Sequence, residues 1–179
     1  DFDEASKIIF DKSNQAEVIY LNHHLAHSYN SFYCSGYSSA AIFSCDGYGE
    51  NATTFWGLGR GKKIEEIKTT NFPHSIGQLY STITQFLGFK PNLDEWKVMA
   101  LASYGNSKKY LKDFNNLVKI KNNGEFELNL NYFDFYNFDK KKYFSKKFEN
   151  LFGKPHNSQN KFNNRHFDIA AALQKTIEL

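Results

Sequence analysis

The sequence predicts an α/β fold. Three observations carry that expectation. Apolar runs separated by short glycine-bearing turns come early in the chain. Stripes of apolar residues at helical spacing, with start and stop signals, come later. Strands followed by helices, with a mixed sheet, are an arrangement in which both kinds of element cover one core.

Glu17-Val18-Ile19-Tyr20 reads as a short strand. It feeds a helix that carries Leu25, Tyr29, Phe32 and Tyr33 at helical spacing and stops at Gly36. Ala40 to Cys45, Ala52 to Leu58 and Lys63 to Thr69 read as strands. Short turns at Asp46 to Glu50 and Gly59 to Gly61 favour antiparallel neighbours, hence a three-stranded meander. Ser75 and Gln78 match a capping box opening a helix striped by Ile76, Leu79, Tyr80, Ile83, Phe86 and Leu87, with Gly88 at its end.

Leu93 to Ala102 predicts a further helix closed by Tyr104-Gly105, and Tyr110 to Val118 another. Asn122-Asn123-Gly124 reads as a hairpin turn, with Phe126, Leu128 and Leu130 alternating after it. Asn131 to Asp139 is aromatic and irregular, and Phe144 to Leu151 reads as a short helix before Gly153. A last helical run reaches Leu179 without a stop signal, so residues 1–179 are expected to be a fragment of a longer protein.

With 179 residues the chain is long enough for one domain with a sizeable core. Its 18 Phe and 11 Tyr predict an aromatic core and aromatic pockets. The net charge of +3 is too weak to imply nucleic acid. Lys140 to Lys142, Lys146 and Lys147 form the densest basic stretch, but Asp134 and Asp139 lie close by, which favours a solvated face. No apolar run approaches a membrane span. Cys34 and Cys45 have no metal or redox spacing and fit reduced, buried thiols of a cytoplasmic protein.

The chemistry concentrates in Asn22-His23-His24-Leu25-Ala26-His27 and Asp46-Gly47-Tyr48-Gly49-Glu50. His23 and His27 are four residues apart and share one face of a helix, so they can grip one ion. Asp46 ends an apolar strand and adds a carboxylate. Imidazole suits zinc, iron, copper and nickel, and a carboxylate with open positions fits a ferrous-type centre. His24 falls off the shared face and reads as a structural residue. The same spacing also occurs at helix starts that bind nothing, and Asp-Gly is a common turn signal.

The order of motifs extends this reading. After the histidine and aspartate motifs come Pro73-His74-Ser75-Ile76-Gly77-Gln78-Leu79-Tyr80, Leu87-Gly88-Phe89-Lys90, and Glu95-Trp96-Lys97-Val98-Met99-Ala100-Leu101-Ala102-Ser103-Tyr104-Gly105. The series resembles the O-carbamoyltransferase family of nodulation protein U and the cephalosporin and aminoglycoside carbamoyltransferases. The resemblance is weakest between Lys108 and Arg165. Ala100 and Ser103 stand where family members usually have glycine and proline.

The resemblance implies part of an N-terminal domain with the actin-like ATPase (ribonuclease H-like) fold. It implies a ferrous-type metal held by His23, His27 and Asp46. It implies a carbamoyl-adenylate, made from carbamoyl phosphate and ATP in a YrdC-like domain, as donor to a hydroxyl of a sugar or natural product. Gly47, Gly49, Ser75 and Gly77 are the candidates for amide donors near the adenylate phosphate. Lys97 could face the nucleotide or be solvated. The family's first strand, its histidine-bearing loop and its later aspartate and nucleotide-binding glycines are missing, so the fragment alone is expected to be inactive. Alternatives on the same fold are a tRNA threonylcarbamoyl-transfer or hydrogenase-maturation relative, or a non-catalytic module.

Overall fold

The computed structural model describes residues 19–157 and 159–178. Helix α1, His23–Cys34, is followed by strands β1, Ser39–Gly49, β2, Ala52–Arg60, and β3, Lys63–Asn71. Helices α2, Ile76–Phe86, α3, Glu95–Ala102, and α4, Leu111–Leu117, come next. A hairpin of β4, Val118–Ile120, and β5, Phe126–Leu128, leads through an irregular aromatic stretch to α5, Lys146–Phe152, and α6, Asn164–Ile177.

Helices and strands mix as expected, and the meander has the order β1-β2-β3 with antiparallel neighbours. The mixed sheet does not appear among the described residues, where both sheets are antiparallel. The reason lies in the connections. Two-residue turns can return a chain only antiparallel, whereas a parallel neighbour needs a long crossover.

The remaining differences are local. Ile19 and Tyr20 are not in a strand, and Glu17 and Val18 lie outside the described residues, as does Leu179. Helix α3 starts at Glu95 rather than Leu93, after the turns that Pro91 and Asn92 open. Leu130 does not continue the β5 alternation but starts a 3-10 turn, Leu130–Tyr132. The capping box of α2 is half formed: the Ser75 hydroxyl accepts from Gln78 N–H, while the Gln78 side chain lies beside Gly47. Cys34 and Cys45 are free but exposed rather than buried.

Two cores hold these elements. The larger collects Leu79, Ile83 and Phe86 of α2 with Phe114, Phe148 and Leu173 from the later helices, all fully buried. Each such side chain contributes roughly 1.5–3 kcal/mol by leaving water. The smaller core is Phe32 of α1 against Ile42 and Phe55 of the meander. It seats α1 on the sheet, and Gly59 makes room, since a Cβ there would stand 2.6 Å from the Phe32 ring. The lysine-rich stretch is paired on the surface: Lys140 with Asp134, and Lys142 and Lys146 with Glu149.

Candidate metal centre

The histidine helix starts where it does because Asn22 caps it, its side chain accepting from Leu25 N–H at 3.0 Å. Glu50 reinforces that start. Its carboxylate accepts from Asn22 Nδ2 at 3.0 Å and from His23 N–H at 3.2 Å. A carboxylate at a helix N-terminus satisfies free amides and matches the helix dipole. Glu50 does this from the β1–β2 turn, at a φ of 45°, an uncommon backbone setting for a residue other than glycine.

The strand that carries Asp46 is bulged there. Cys45 pairs with Thr54 and Gly49 with Ala52, so Asp46, Gly47 and Tyr48 of β1 face Thr53 alone. A bulge bends a strand and re-aims its side chains. Asp46 therefore lies inside β1, and the turn itself is Glu50-Asn51. The bulge sends the carboxylate to the histidine helix. Asp46 Oδ2 is 2.9 Å from His23 Nε2 and 3.7 Å from His27 Nε2, and the two Nε2 atoms are 3.2 Å apart.

These three edges test the fit of an ion. Ligand bonds of about 2.0–2.2 Å hold neighbouring donors at about 3–3.6 Å. The edges of 2.9, 3.2 and 3.7 Å fall within about 0.1 Å of that range, and two imidazoles with one carboxylate suit a borderline divalent metal. The site is partly open, with His27 exposed and His23 and Asp46 half-buried. Burial pushes the Asp46 carboxyl up, but hydrogen bonds from His23 and Gly47 N–H and the charges of His23 and His27 outweigh it and hold it below the usual carboxylate range.

His24 faces the opposite way and is fully buried. Its Nδ1 meets Ser44 Oγ at 2.9 Å and its Nε2 meets the Ala52 carbonyl at 3.1 Å. It pins α1 to β1 and β2 and so fixes the direction of its two neighbours.

The glycines and Ser75 gather around Asp46. Ser75 Oγ donates to the Gly47 carbonyl at 2.6 Å, which ties the start of α2 to the bulge. A Cβ on Gly77 would stand 2.8 Å from the backbone of Gly47. Gly49 makes room for His23, whose Cβ would lie 2.6 Å from a Cβ at that position. Gly47 and Gly77 open onto a cavity of about 450 Å³ shared with Asp46, Tyr80, Asn92 and Glu95. The Tyr80 phenol there is pushed up to about 12 by burial and by the Glu95 charge. Lys97 is not in its wall. The Lys97 ammonium pairs with Asp94 at 2.8 Å and lies over the Trp96 and Phe89 rings.

Two contributors have weak signals in the sequence. Glu50 closes the Asp-Gly-Tyr-Gly-Glu motif, but only the fold shows that it caps α1. Gln78 has the sequence signal of a capping residue and instead turns its amide toward the bulge.

Comparison with known proteins finds relatives over most of the chain. A family model described as the carbamoyltransferase N-terminus matches residues 4–179. The uncharacterized protein sll1178 of Synechocystis is 38% identical over 162 residues, covering 90% of this chain and 26% of its own length. The nodulation protein NolNO of Sinorhizobium fredii is 30% identical over 115 residues, 64% of this chain and 17% of its own. The nodulation protein NolO of Bradyrhizobium diazoefficiens is 29% identical over 110 residues, 62% of this chain and 20% of its own. The matched part is thus a minor share of each relative's length. With its histidine and aspartate motifs folded together at one site, the chain belongs to the carbamoyltransferase N-terminal family.

Proposed function

We propose that residues 1–179 are part of the N-terminal domain of an O-carbamoyltransferase with an actin-like ATPase fold, acting in the cytoplasm. Its donor is a carbamoyl-adenylate, made from carbamoyl phosphate and ATP by a YrdC-like domain of the whole protein. Its acceptor is a hydroxyl of a sugar or natural product. The observation that carries this reading is the convergence of His23, His27 and Asp46 on donor edges of 2.9, 3.2 and 3.7 Å.

These residues would hold a ferrous-type ion, which supplies Lewis-acid polarisation of the carbamoyl carbonyl. His24 and Glu50 hold the two imidazoles in direction. Ser75 holds the bulge against the start of α2, whose first amides, with Gly47 and Gly77, line the wall suited to the adenylate phosphate. Asp46 and Glu95 share that wall, so a cation beside Asp46 offsets the repulsion an anion would otherwise meet.

The test uses the full-length protein. Iron content and carbamoyl transfer from carbamoyl phosphate and ATP to hydroxyl acceptors are measured for wild type and His23→Ala/His27→Ala. The expected result is a bound ion and transfer in the wild type, with loss of both in the double variant. A double variant that keeps its full metal content places the ion elsewhere. A metal-free wild type without transfer marks a non-catalytic module.

A further inference from the structure

Beside the metal centre runs a second groove. Tyr48, the last residue of the bulge, and Phe72, just after β3, meet edge to face at 5.7 Å. Phe138 from the irregular stretch lies nearly parallel to Phe72, at 9° and 6.3 Å. Phe138 is 79% exposed and Tyr48 53% exposed. The three rings are shared by two adjoining cavities of about 430 and 380 Å³.

The polar groups of this groove are the informative part. Gln78 lines the groove, and its side-chain amide pairs with no protein group among the described residues; since no buried side-chain polar atom there is unpartnered, this amide meets solvent. An amide that faces solvent between aromatic rings can exchange its water for the hydroxyls of a group that enters the groove. Asn51 and Asn71 at the other end also have unbonded side-chain amides among the described residues, and Glu50 adds a carboxylate. Lys140 is already paired with Asp134.

We propose that this groove seats a sugar ring of the hydroxyl acceptor, with Tyr48, Phe72 and Phe138 as its stacking wall and the Gln78 amide as its hydrogen-bond partner. This rests on the carbamoyltransferase reading and deepens it. A sugar offers an apolar C–H face for the rings and hydroxyls that both donate and accept, which amides answer in kind. A nucleotide fits less well, because Glu50 repels phosphate and the groove has no amide cradle at a helix start. The position suits an acceptor. Gln78 Nε2 would lie 3.3 Å from a Cβ on Gly47, the neighbour of Asp46, and Asn92 lines both this groove and the Asp46 cavity.

The experiment uses the full-length protein. Saturation-transfer NMR is run with cellobiose, maltose, lactose and kanamycin, and with adenosine as competitor. Saturation of at least one sugar, lost in Phe138→Ala and Gln78→Leu and not displaced by adenosine, is the expected result. This readout needs neither metal nor transfer, so it stands if the carbamoyltransferase reading fails. Where an acceptor is carbamoylated, Phe138→Ala raises its KM about tenfold, the effect of about 1.4 kcal/mol of stacking, with little change in kcat. Tyr104→Ala, which removes another exposed ring, leaves KM unchanged. No sugar signal across the panel, displacement by adenosine, or an acceptor KM indifferent to Phe138→Ala overturns the proposal.

Discussion

Gly49 lies against the His23 imidazole so closely that a methyl group in its place would overlap the ring. The glycine therefore acts through the space it leaves. Gly49→Ala must push His23 out of the triangle or bend β1. Overpacking of this kind costs roughly 1–3 kcal/mol. The expected outcome in the full-length protein is loss of the bound metal with a modest drop in melting temperature. Elemental analysis and thermal unfolding check it. Retained metal would mean that β1 yields and His23 does not.

The two neighbouring histidines should separate binding from stability. His24 is buried and bonded to Ser44 and Ala52, so His24→Ala leaves a cavity and strips two partners. A cost of about 2–4 kcal/mol follows from those losses. His27 is exposed, and His27→Ala should move stability by less than about 0.5 kcal/mol while removing a ligand. Metal content should fall further in His27→Ala than in His24→Ala, with the order reversed in chemical denaturation. Equal loss of metal in both would show that the hold of His24 on α1 matters to the ion as much as a ligand does.

Much of this was legible in the sequence. The meander, the α2 stripe and the His23/His27 pair are local patterns of spacing, and local spacing survives folding. The capping box at Ser75 was legible only by half, because Gln78 is drawn to the bulge by packing that no window of sequence contains. The bulge itself hides in Asp-Gly-Tyr-Gly, which reads equally well as a turn. Lys97 shows the converse. Its motif leaves it either facing the nucleotide or solvated, and only the fold shows that it pairs with Asp94. The aromatic groove joins residues from β1, the end of β3 and the irregular stretch, so only the fold reveals it.

A different histidine sets an acid limit on stability. His166 is buried on α6, its Nδ1 accepts from Asn163 N–H, and Arg165 lies 2.9 Å from Nε2. Burial, with the charges of Arg165 and His156, brings its pKa down to about 4. The unfolded chain takes up this proton near pH 6.5 and the folded one near 4, so stability falls as pH drops through that window. The loss is on the order of 2 kcal/mol, as ~1.4 kcal/mol per pH unit implies once solvent access is allowed for. Melting temperature measured from pH 7 to 4.5 should decline in the wild type and flatten in His166→Gln. An unchanged slope in the variant would assign the decline to other groups.

The Asp46 carboxylate should make metal binding and stability rise together. Asp46→Asn keeps an oxygen acceptor for His23 and nearly the same shape, but removes the negative charge at the centre of the triangle. Asp46 is half-exposed, so its loss costs the metal-free fold little. The loss of a charged ligand should weaken the metal at least tenfold. Binding to the folded state alone adds about 2.7 kcal/mol at a free-ion concentration 100 times Kd. A chelator should therefore lower the melting temperature of full-length wild type and leave Asp46→Asn almost unmoved. The contrast is read at pH 7, because imidazole must be neutral to bind a metal and occupancy falls as pH drops below about 6. The hydrogen bonds and histidine charges around Asp46 depress its folded pKa, so the carboxylate stays ionised there; its contribution is lost only as pH falls through that lowered value. Equal chelator shifts in both proteins would show that any ion they bind sits away from Asp46.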